Sequence, residues 1–247
     1  MNEKNFRIAV YTVLFILVLI FFTKDFNLFS DFYKNIRQVK NPEQIDVLVN
    51  KNYKLSHTYM PSDLEPVNIT YAHENKYLRH DAKVAYEKMA EQAKKEGYQI
   101  ILVSAYRSYS YQKELYQHYI KTSGKNYADR CSARPGHSEH QTGLALDIMG
   151  ENNDYNLFEQ TKEFTWIQQN AHKYGFILRY PNNKTDITGF KYEPWHYRYV
   201  GKDIASIIYT EGITIEEYYK NETKKGIFSD NFYIGYDVIY NFTTKFR

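Results

Sequence analysis

Four side chains in this sequence have the types and spacing of a site for one metal ion that activates water: His140, Asp147, Glu193 and His196. The first two lie in one short segment, and the last two lie together in a later one. Two imidazoles and one carboxylate bind zinc and leave a fourth position open for water. The remaining carboxylate can accept the proton of that water. The set therefore predicts metal-assisted hydrolysis.

The residues around these four indicate how the backbone presents them. Leu144, Leu146 and Ile148 alternate with Ala145 and Asp147, which predicts a strand with Asp147 on the face opposite the aliphatic side chains. The small Ala145 beside Asp147 leaves room for an ion. A second strand is predicted around His196, and ligands on strands are held more rigidly than ligands on loops.

The segment that carries His140 is bracketed by Gly136 and Gly143. Glycine lets the backbone turn sharply or come close to a ligand. His137 stands three residues before His140, but Pro135 and Gly136 argue against a helix there, so we expect His137 to make a loop contact or to support a ligand. Cys131 is expected to be an inert thiol rather than a fourth ligand.

Two histidines and a carboxylate also describe the non-haem iron oxygenases. Those sites typically place the carboxylate close after the first histidine, whereas here a longer segment separates His140 from Asp147. Hydrolysis at zinc gives Glu193 a role, and iron oxygenation does not.

Apolar periodicity predicts the elements that must position these residues. Helices are predicted over residues 81–96, 110–120, 161–174, 203–208 and 214–219, and strands over residues 99–104, 144–148, 176–180 and 195–200. The strands and helices do not alternate regularly. The expected fold class is therefore α+β, with an antiparallel sheet that carries the zinc site and helices that flank it.

Residues 8–22 are uncharged and almost entirely apolar, with basic residues before them. Fifteen helical residues span roughly 22 Å of a hydrocarbon core of about 30 Å, and snorkelling of Arg7 and Lys24 closes much of the gap. We expect one uncleaved transmembrane helix with its N-terminus in the cytoplasm. A cleaved secretory signal and a buried core helix are the alternatives.

Composition excludes several other functions. The net charge is +3, and the basic residues are interspersed with acidic ones, so no nucleic-acid partner is expected. There is no phosphate-binding glycine loop, so no nucleotide is expected. The single cysteine excludes an intrachain disulfide.

Five stretches, taken together with the four residues above, resemble the VanY family of D-alanyl-D-alanine carboxypeptidases. They are Tyr59–Leu64, Ser104–Tyr109 with Gln112, Arg134–Asp147, Tyr174–Pro181 and Tyr192–Gly201. The resemblance runs from about Gln44 to Lys220. It implies a small α+β fold, shared with hedgehog-type domains, in which a central antiparallel sheet carries one zinc ion.

The resemblance also implies roles for individual residues. It implies His140, Asp147 and His196 as zinc ligands and Glu193 as the catalytic base. It places four further side chains around the C-terminal residue of the substrate: Arg107, Gln112, Ser138 and Tyr180. Arg107 could stabilise the oxyanion or clamp the terminal carboxylate, and the sequence leaves both roles open.

The substrate implied by the resemblance is a peptidoglycan stem peptide that ends in D-alanine. Removal of that residue deletes the group that glycopeptide antibiotics bind, so a role in vancomycin resistance is a hypothesis. The alternatives are an L,D-carboxypeptidase that acts on tetrapeptide stems, a non-catalytic zinc-binding wall module, and a released endopeptidase.

The sequence predicts four segments. Residues 1–24 form a cytoplasmic tip and membrane anchor, and residues 25–43 form a stalk. Residues 44–220 form an extracytoplasmic zinc peptidase domain at the cell membrane. Residues 221–247 form an extension without an assigned role.

Overall fold

The computed structural model describes residues 7, 10–15, 32–150 and 154–224, and its part from residue 32 to residue 224 contains eight short strands and seven α-helices. The strands are β1 (Arg37–Gln38), β2 (Tyr53–Lys54), β3 (Leu64–Pro66), β4 (Tyr77–Arg79), β5 (Ile101–Ser104), β6 (Ala145–Met149), β7 (Phe176–Leu178) and β8 (His196–Tyr199).

The helices are α1 (His80–Lys95), α2 (Tyr109–Ser123), α3 (Lys125–Cys131), α4 (Lys162–Asn170), α5 (Thr185–Thr188), α6 (Lys202–Glu211) and α7 (Ile215–Lys224). Short 3-10 turns cover Ile69–Tyr71, Glu139–Thr142, Phe158–Gln160 and Ala171–Tyr174.

A four-stranded antiparallel sheet with the order β5-β6-β8-β7 forms the centre of the unit that begins at Ile36. Two smaller sheets accompany it: β3 pairs with β4 antiparallel, and β1 pairs with β2 in parallel. The predicted α+β class with an antiparallel sheet is confirmed.

The main core packs helices against the central sheet. Tyr86, Met89 and Ala93 form the buried face of α1, and they pack with sheet residues such as Leu102 and Leu146. Burial of a large aliphatic side chain such as Met89, Leu102 or Leu146 contributes about 1.5–3 kcal/mol relative to exposure. A smaller cluster holds α6 and α7 near β7 through Ile177, Ala205, Ile208, Ile215 and Tyr219.

Helix ends follow the signals in the sequence. Ser108 caps the N-terminus of α2 by accepting a hydrogen bond from the amide of Tyr111, and Thr161 caps α4 through the amide of Phe164. The helix predicted over residues 161–174 ends at Asn170 and continues as a 3-10 turn to Tyr174. The last predicted helix is longer than expected, since α7 continues to Lys224.

The N-terminal unit comprises residues 1–35, of which residues 7 and 10–15 are described as helical. Among the described residues, no helix combines the length and the apolar character needed to cross a bilayer. Most of the predicted span, residues 8–9 and 16–22, lies outside the described residues, as do residues 225–247. The anchor and the extension stay predictions. So does the stalk, although residues 36–43 of it lie within the unit that begins at Ile36, where β1 pairs with β2.

Candidate metal centre

His140 lies in the 3-10 turn that leads into β6, and the backbone around it is tightly constrained. Gly143 ends this turn with φ +68°. A Cβ added there would lie 2.8 Å from Leu64 Cδ2 and 2.9 Å from Arg79 Cγ. Glycine is therefore needed at position 143 both for the left-handed backbone and for close packing. This agrees with the expectation that glycine lets the chain turn sharply beside His140.

The segment after β5 fixes the ring of His140. The carbonyl of Ala105 lies 2.7 Å from Nδ1 of His140, and the amide of Arg107 donates to the His140 carbonyl at 3.1 Å. A carbonyl can only accept, so Nδ1 carries the proton. Nε2 is left with the lone pair that a metal ligand requires.

Asp147 and His196 are brought together by the sheet. They are direct partners in the antiparallel pairing of β6 with β8, so their side chains leave the sheet on one face. Oδ1 of Asp147 lies 3.2 Å from Nδ1 of His196 and 3.4 Å from Nε2 of His140. The two imidazole rings are nearly perpendicular, with centroids 4.9 Å apart.

Together these three residues form a buried group whose candidate ligand atoms all lie within 4.8 Å of one another. Oδ1 of Asp147 is buried and has no hydrogen-bond partner among the described residues. A buried carboxylate oxygen without a donor is costly, and a cation at this point would satisfy it. Two imidazoles and one carboxylate fit a divalent metal ion of the zinc type.

Glu193 lies beside this group, with its side chain 12% exposed and its Oε2 3.6 Å from Nδ1 of His196. Burial raises the pKa of the Glu193 carboxyl to about 7, with His196 and Arg107 opposing the rise and Asp147 adding to it. A carboxyl poised near neutrality can both accept and release a proton.

The two histidines have opposite electrostatic environments. Burial and the nearby Arg107 lower the pKa of His140 to about 4. Burial also acts to lower the pKa of His196, but the nearby carboxylates of Asp147 and Glu139 raise it to about 9. The chain thus surrounds His196 with negative charge.

Arg107 provides a positive charge at the same point. Its Nη2 donates to Nε2 of His140 at 2.6 Å and to Oδ2 of Asp147 at 2.9 Å. Its Nη1 donates to Oε1 of Gln112 at 3.3 Å. The amide of Gln112 donates in turn to Ser132 and Ala133, so this arginine is held by a buried partner.

All eight residues predicted for the site line one open cavity of about 1090 Å³. Ser138 and Tyr180 are buried in its wall, and the ring of Tyr180 lies 4.8 Å from that of His196. Aromatic side chains form much of the remaining wall: Tyr106, Tyr111, Tyr119, Tyr127, Tyr155, Tyr192 and Trp195. The structure therefore brings every predicted site residue to one place.

Comparison with known proteins identifies the family. The model of the VanY family, described as D-alanyl-D-alanine carboxypeptidase, matches residues 75–202, a segment that contains all eight site residues. The chain belongs to the VanY family. The putative carboxypeptidase YodJ of Bacillus subtilis is 44% identical to it over 213 residues, which cover 81% of this chain and 78% of that protein.

Solved structures with the same fold include an LD-carboxypeptidase and a D,D-pentapeptidase. The LD-carboxypeptidase LdcB, whose structure addresses peptidoglycan recognition, is 45% identical with a TM-score of 0.71, over 76% of this chain and 91% of that one. A variant of the vancomycin-resistance D,D-pentapeptidase VanY from a VanB-type cassette, solved with Zn(II), is 31% identical with a TM-score of 0.62. The match covers 70% of this chain and 98% of that one.

Within this VanY-family site, one neighbouring residue was missed by sequence reasoning. Glu139 is fully buried beside His196, with its Oε2 3.7 Å from Nε2 of that histidine. Its position next to His140 was visible in the sequence, but charged residues are rarely buried, and nothing in the local pattern indicated that this one is.

Two residues considered near the site lie apart from the metal group. His137 is buried, and its Nδ1 lies 2.8 Å from the carbonyl of Asn50, which agrees with the predicted loop contact. Cys131 lines the cavity, and its thiol donates to the carbonyl of Tyr127 at 3.2 Å. Burial raises the pKa of this thiol, so it is a poor metal ligand at neutral pH.

Proposed function

We propose that this protein is a zinc-dependent carboxypeptidase that removes the C-terminal D-alanine from peptidoglycan stem peptides. The observation that carries the proposal is the convergence of His140, Asp147 and His196 in the lining of one cavity, with the carboxyl of Glu193 beside them. Membership of the VanY family supports the same reaction class.

His140, Asp147 and His196 would hold the metal through Nε2, Oδ1 and Nδ1, the atoms that face one another. Zinc in such a site supplies a Lewis acid and lowers the pKa of water toward 7. Burial of the three ligands places them in surroundings of low dielectric constant, which strengthens the charge interactions between them.

Glu193 takes the proton of the attacking water and returns it to the departing amine. Its carboxyl is close to the ligand group, and a pKa of about 7 lets it change protonation state within one turnover. A purely structural zinc needs no base, so this carboxyl supports catalysis over a non-catalytic wall module.

Arg107 is placed for either of two tasks. Its guanidinium, held by Gln112, can stabilise the negative charge that develops on the carbonyl oxygen of the scissile bond. The same planar group can bind the terminal carboxylate of the peptide in a two-pronged hydrogen bond. Kinetics of an Arg107→Lys variant separate the two, because loss of carboxylate binding raises KM, whereas loss of oxyanion stabilisation lowers kcat.

The proposal must also specify the length of the stem peptide that serves as substrate, because the solved relatives differ in specificity. The VanB-type relative solved with Zn(II) is a D,D-pentapeptidase, and LdcB is an LD-carboxypeptidase. We propose the D,D reaction on pentapeptide stems, which would remove the group that vancomycin binds. The L,D reaction on tetrapeptide stems is the second candidate, favoured by the likeness to LdcB.

The test is to incubate the purified full chain with a synthetic pentapeptide stem and a tetrapeptide stem and to weigh the products. Loss of one alanine from the pentapeptide, abolished by a chelator and restored by zinc, supports the proposal. Cleavage of the tetrapeptide alone favours the L,D reaction, and no product from either substrate contradicts the carboxypeptidase assignment. Zinc content is measured on the same sample.

We also propose that the catalytic domain acts outside the cytoplasm, joined to the membrane by residues 8–22. The support is the uncharged apolar stretch with basic residues before it. Protease added to intact cells should degrade the domain while a cytoplasmic marker protein survives. A domain that is protected until the cells are lysed would contradict this location.

A further inference from the structure

A buried carboxylate, Glu139, lies on the side of His196 that faces away from Asp147. Its side chain is fully buried, and one of its oxygens is saturated by arginines. Oε1 accepts a hydrogen bond from Nε of Arg179 at 2.8 Å and another from Nη1 of Arg198 at 2.9 Å. Two guanidinium groups at this distance keep the carboxylate ionised and fixed in place.

The other oxygen of Glu139 points at the metal-site histidine. Within residues 32–150 and 154–224, neither Oε2 of Glu139 nor Nε2 of His196 has a hydrogen-bond partner, and both are buried. The two atoms lie 3.7 Å apart, just beyond hydrogen-bonding distance. A buried acceptor and a buried potential donor that face each other form a matched pair.

The opposite edge of the same ring faces the metal group. Nδ1 of His196 lies 3.2 Å from Oδ1 of Asp147 and 3.6 Å from Oε2 of Glu193. The ring therefore stands between Glu139 on one side and the ligand atoms on the other. A carboxylate can only accept, so whichever nitrogen faces Glu139 must keep its proton.

The arginines have further partners that hold this arrangement rigid. Arg179 forks onto both oxygens of Glu216 in α7, at 2.6 and 3.0 Å. Arg198 donates from Nη2 to the carbonyls of Ile45 and Val47 at 2.9 and 2.8 Å. Glu139 thus cannot turn away from His196 without breaking a buried charge network, which is a costly change.

We propose that Glu139 is a positioning residue that keeps the proton of His196 on Nε2 and so presents Nδ1 to the zinc ion. This inference rests on the proposed zinc site. The two histidine ligands would then bind through different nitrogens, because the carbonyl of Ala105 keeps the proton of His140 on Nδ1. Such partners fix ring orientation and raise the basicity of the ligand.

The first test needs no substitution. Histidine side-chain nitrogens of the zinc-loaded, ¹⁵N-labelled protein are assigned by long-range ¹H–¹⁵N correlation. We expect His196 to carry its proton on Nε2 and to bind zinc through Nδ1, and His140 to show the reverse. A proton on Nδ1 of His196 would overturn the proposal.

The second test compares two substitutions in the same network. Glu139→Gln places an amide N–H where the acceptor faces His196, whereas Glu216→Gln changes a carboxylate that contacts Arg179 and not the histidine. Zinc affinity is measured by competition with a chromophoric chelator. We expect Glu139→Gln to weaken zinc binding by about 10–100-fold and Glu216→Gln to leave it unchanged.

Equal weakening in both variants would mean that Glu139 acts as part of the general scaffold, and the proposal would fail. Circular dichroism shows whether each variant is folded. If Glu139→Gln does not fold, the proposal is tested by the NMR assignment of the histidine nitrogens in the wild-type protein. Neither readout requires turnover. A protein that binds zinc with the expected proton positions but cleaves no stem peptide would contradict the proposed function and leave this inference standing.

Discussion

Asp147 and His196 are direct cross-strand partners in the pairing of β6 with β8. This single pairing joins the two sequence segments that carry the candidate ligands, and it sets Oδ1 of the aspartate 3.2 Å from Nδ1 of the histidine. Because side chains alternate along a strand, a shift of one residue in the register would send one of the two to the opposite face. The candidate metal centre therefore depends on the register of this sheet.

Substitution of Asp147 by Asn should lower metal affinity more than it lowers stability. The amide keeps the shape of the side chain but removes the negative charge that balances the metal and Arg107. We expect little bound zinc after dialysis against a weak chelator, measured by elemental analysis, with a cooperative thermal transition retained. Full zinc occupancy in this variant would contradict the assignment of Asp147 as a ligand.

Substitution of Glu193 by Gln should lower kcat by about 10²–10⁴-fold, because the amide cannot accept the proton of water. Zinc content should stay at the wild-type level. The measurement is steady-state hydrolysis of a stem peptide with zinc determined in parallel. Glu114→Gln, which neutralises an exposed carboxylate on α2, is the matched control and should behave like the wild type. Unchanged turnover in Glu193→Gln would show that Glu193 is not the catalytic base.

Stability should depend on pH through His137. Burial lowers the pKa of this histidine from 6.5 to about 4, against a hydrogen bond to Asn50 that raises it. Between these two values the unfolded chain binds more protons than the folded one, so the free energy of unfolding falls as pH decreases from 6.5 to 4. Because a tenfold change in proton affinity corresponds to about 1.4 kcal/mol, the full loss of stability is about 3 kcal/mol.

Denaturant unfolding at several pH values between 7 and 4 measures this dependence, and His137→Gln serves as the comparison because it cannot titrate. We expect the difference in stability between wild type and variant to shrink as the pH falls. A difference that stays constant across this range would show that His137 has its ordinary pKa in the folded protein.

Substitution of Gly143 by Ala should destabilise the fold by more than about 1 kcal/mol. Its φ of +68° strains any other residue, and the added Cβ would collide with Leu64 and Arg79. Gly212→Ala is the matched control, since φ is +63° there and nothing lies within 4 Å of the added atom. Thermal unfolding of both variants separates backbone strain from crowding. An equal loss of stability in the two variants would show that crowding at position 143 adds no destabilisation beyond that of backbone strain.

Much of the candidate site was predictable from sequence because its residues lie in strongly patterned segments. The alternation around Asp147 predicted a strand and the face of the side chain, and the glycine after His140 indicated a turn. Periodicity also predicted α1, α2, α6 and β5, since each has a clear apolar face or run.

Elements without such a pattern were missed. β1 and β2 contain two residues each, too few to show an alternation. The polar α3 buries Ala128 alone, so it has no apolar stripe that periodicity could detect. The role of Glu139 depends on arginines 40 and 59 residues away in sequence. Contacts over such separations arise from strand pairing, which local patterns do not specify.

The fork between Arg179 and Glu216 has a consequence for the design of shorter fragments. The segment shared with the family model stops at residue 202, and a fragment cut there would retain every candidate ligand. It would nevertheless leave the positive charge of Arg179 buried without its second counter-ion, which lies in α7. A truncated protein intended for crystallography or ligand screening should therefore extend through Lys224.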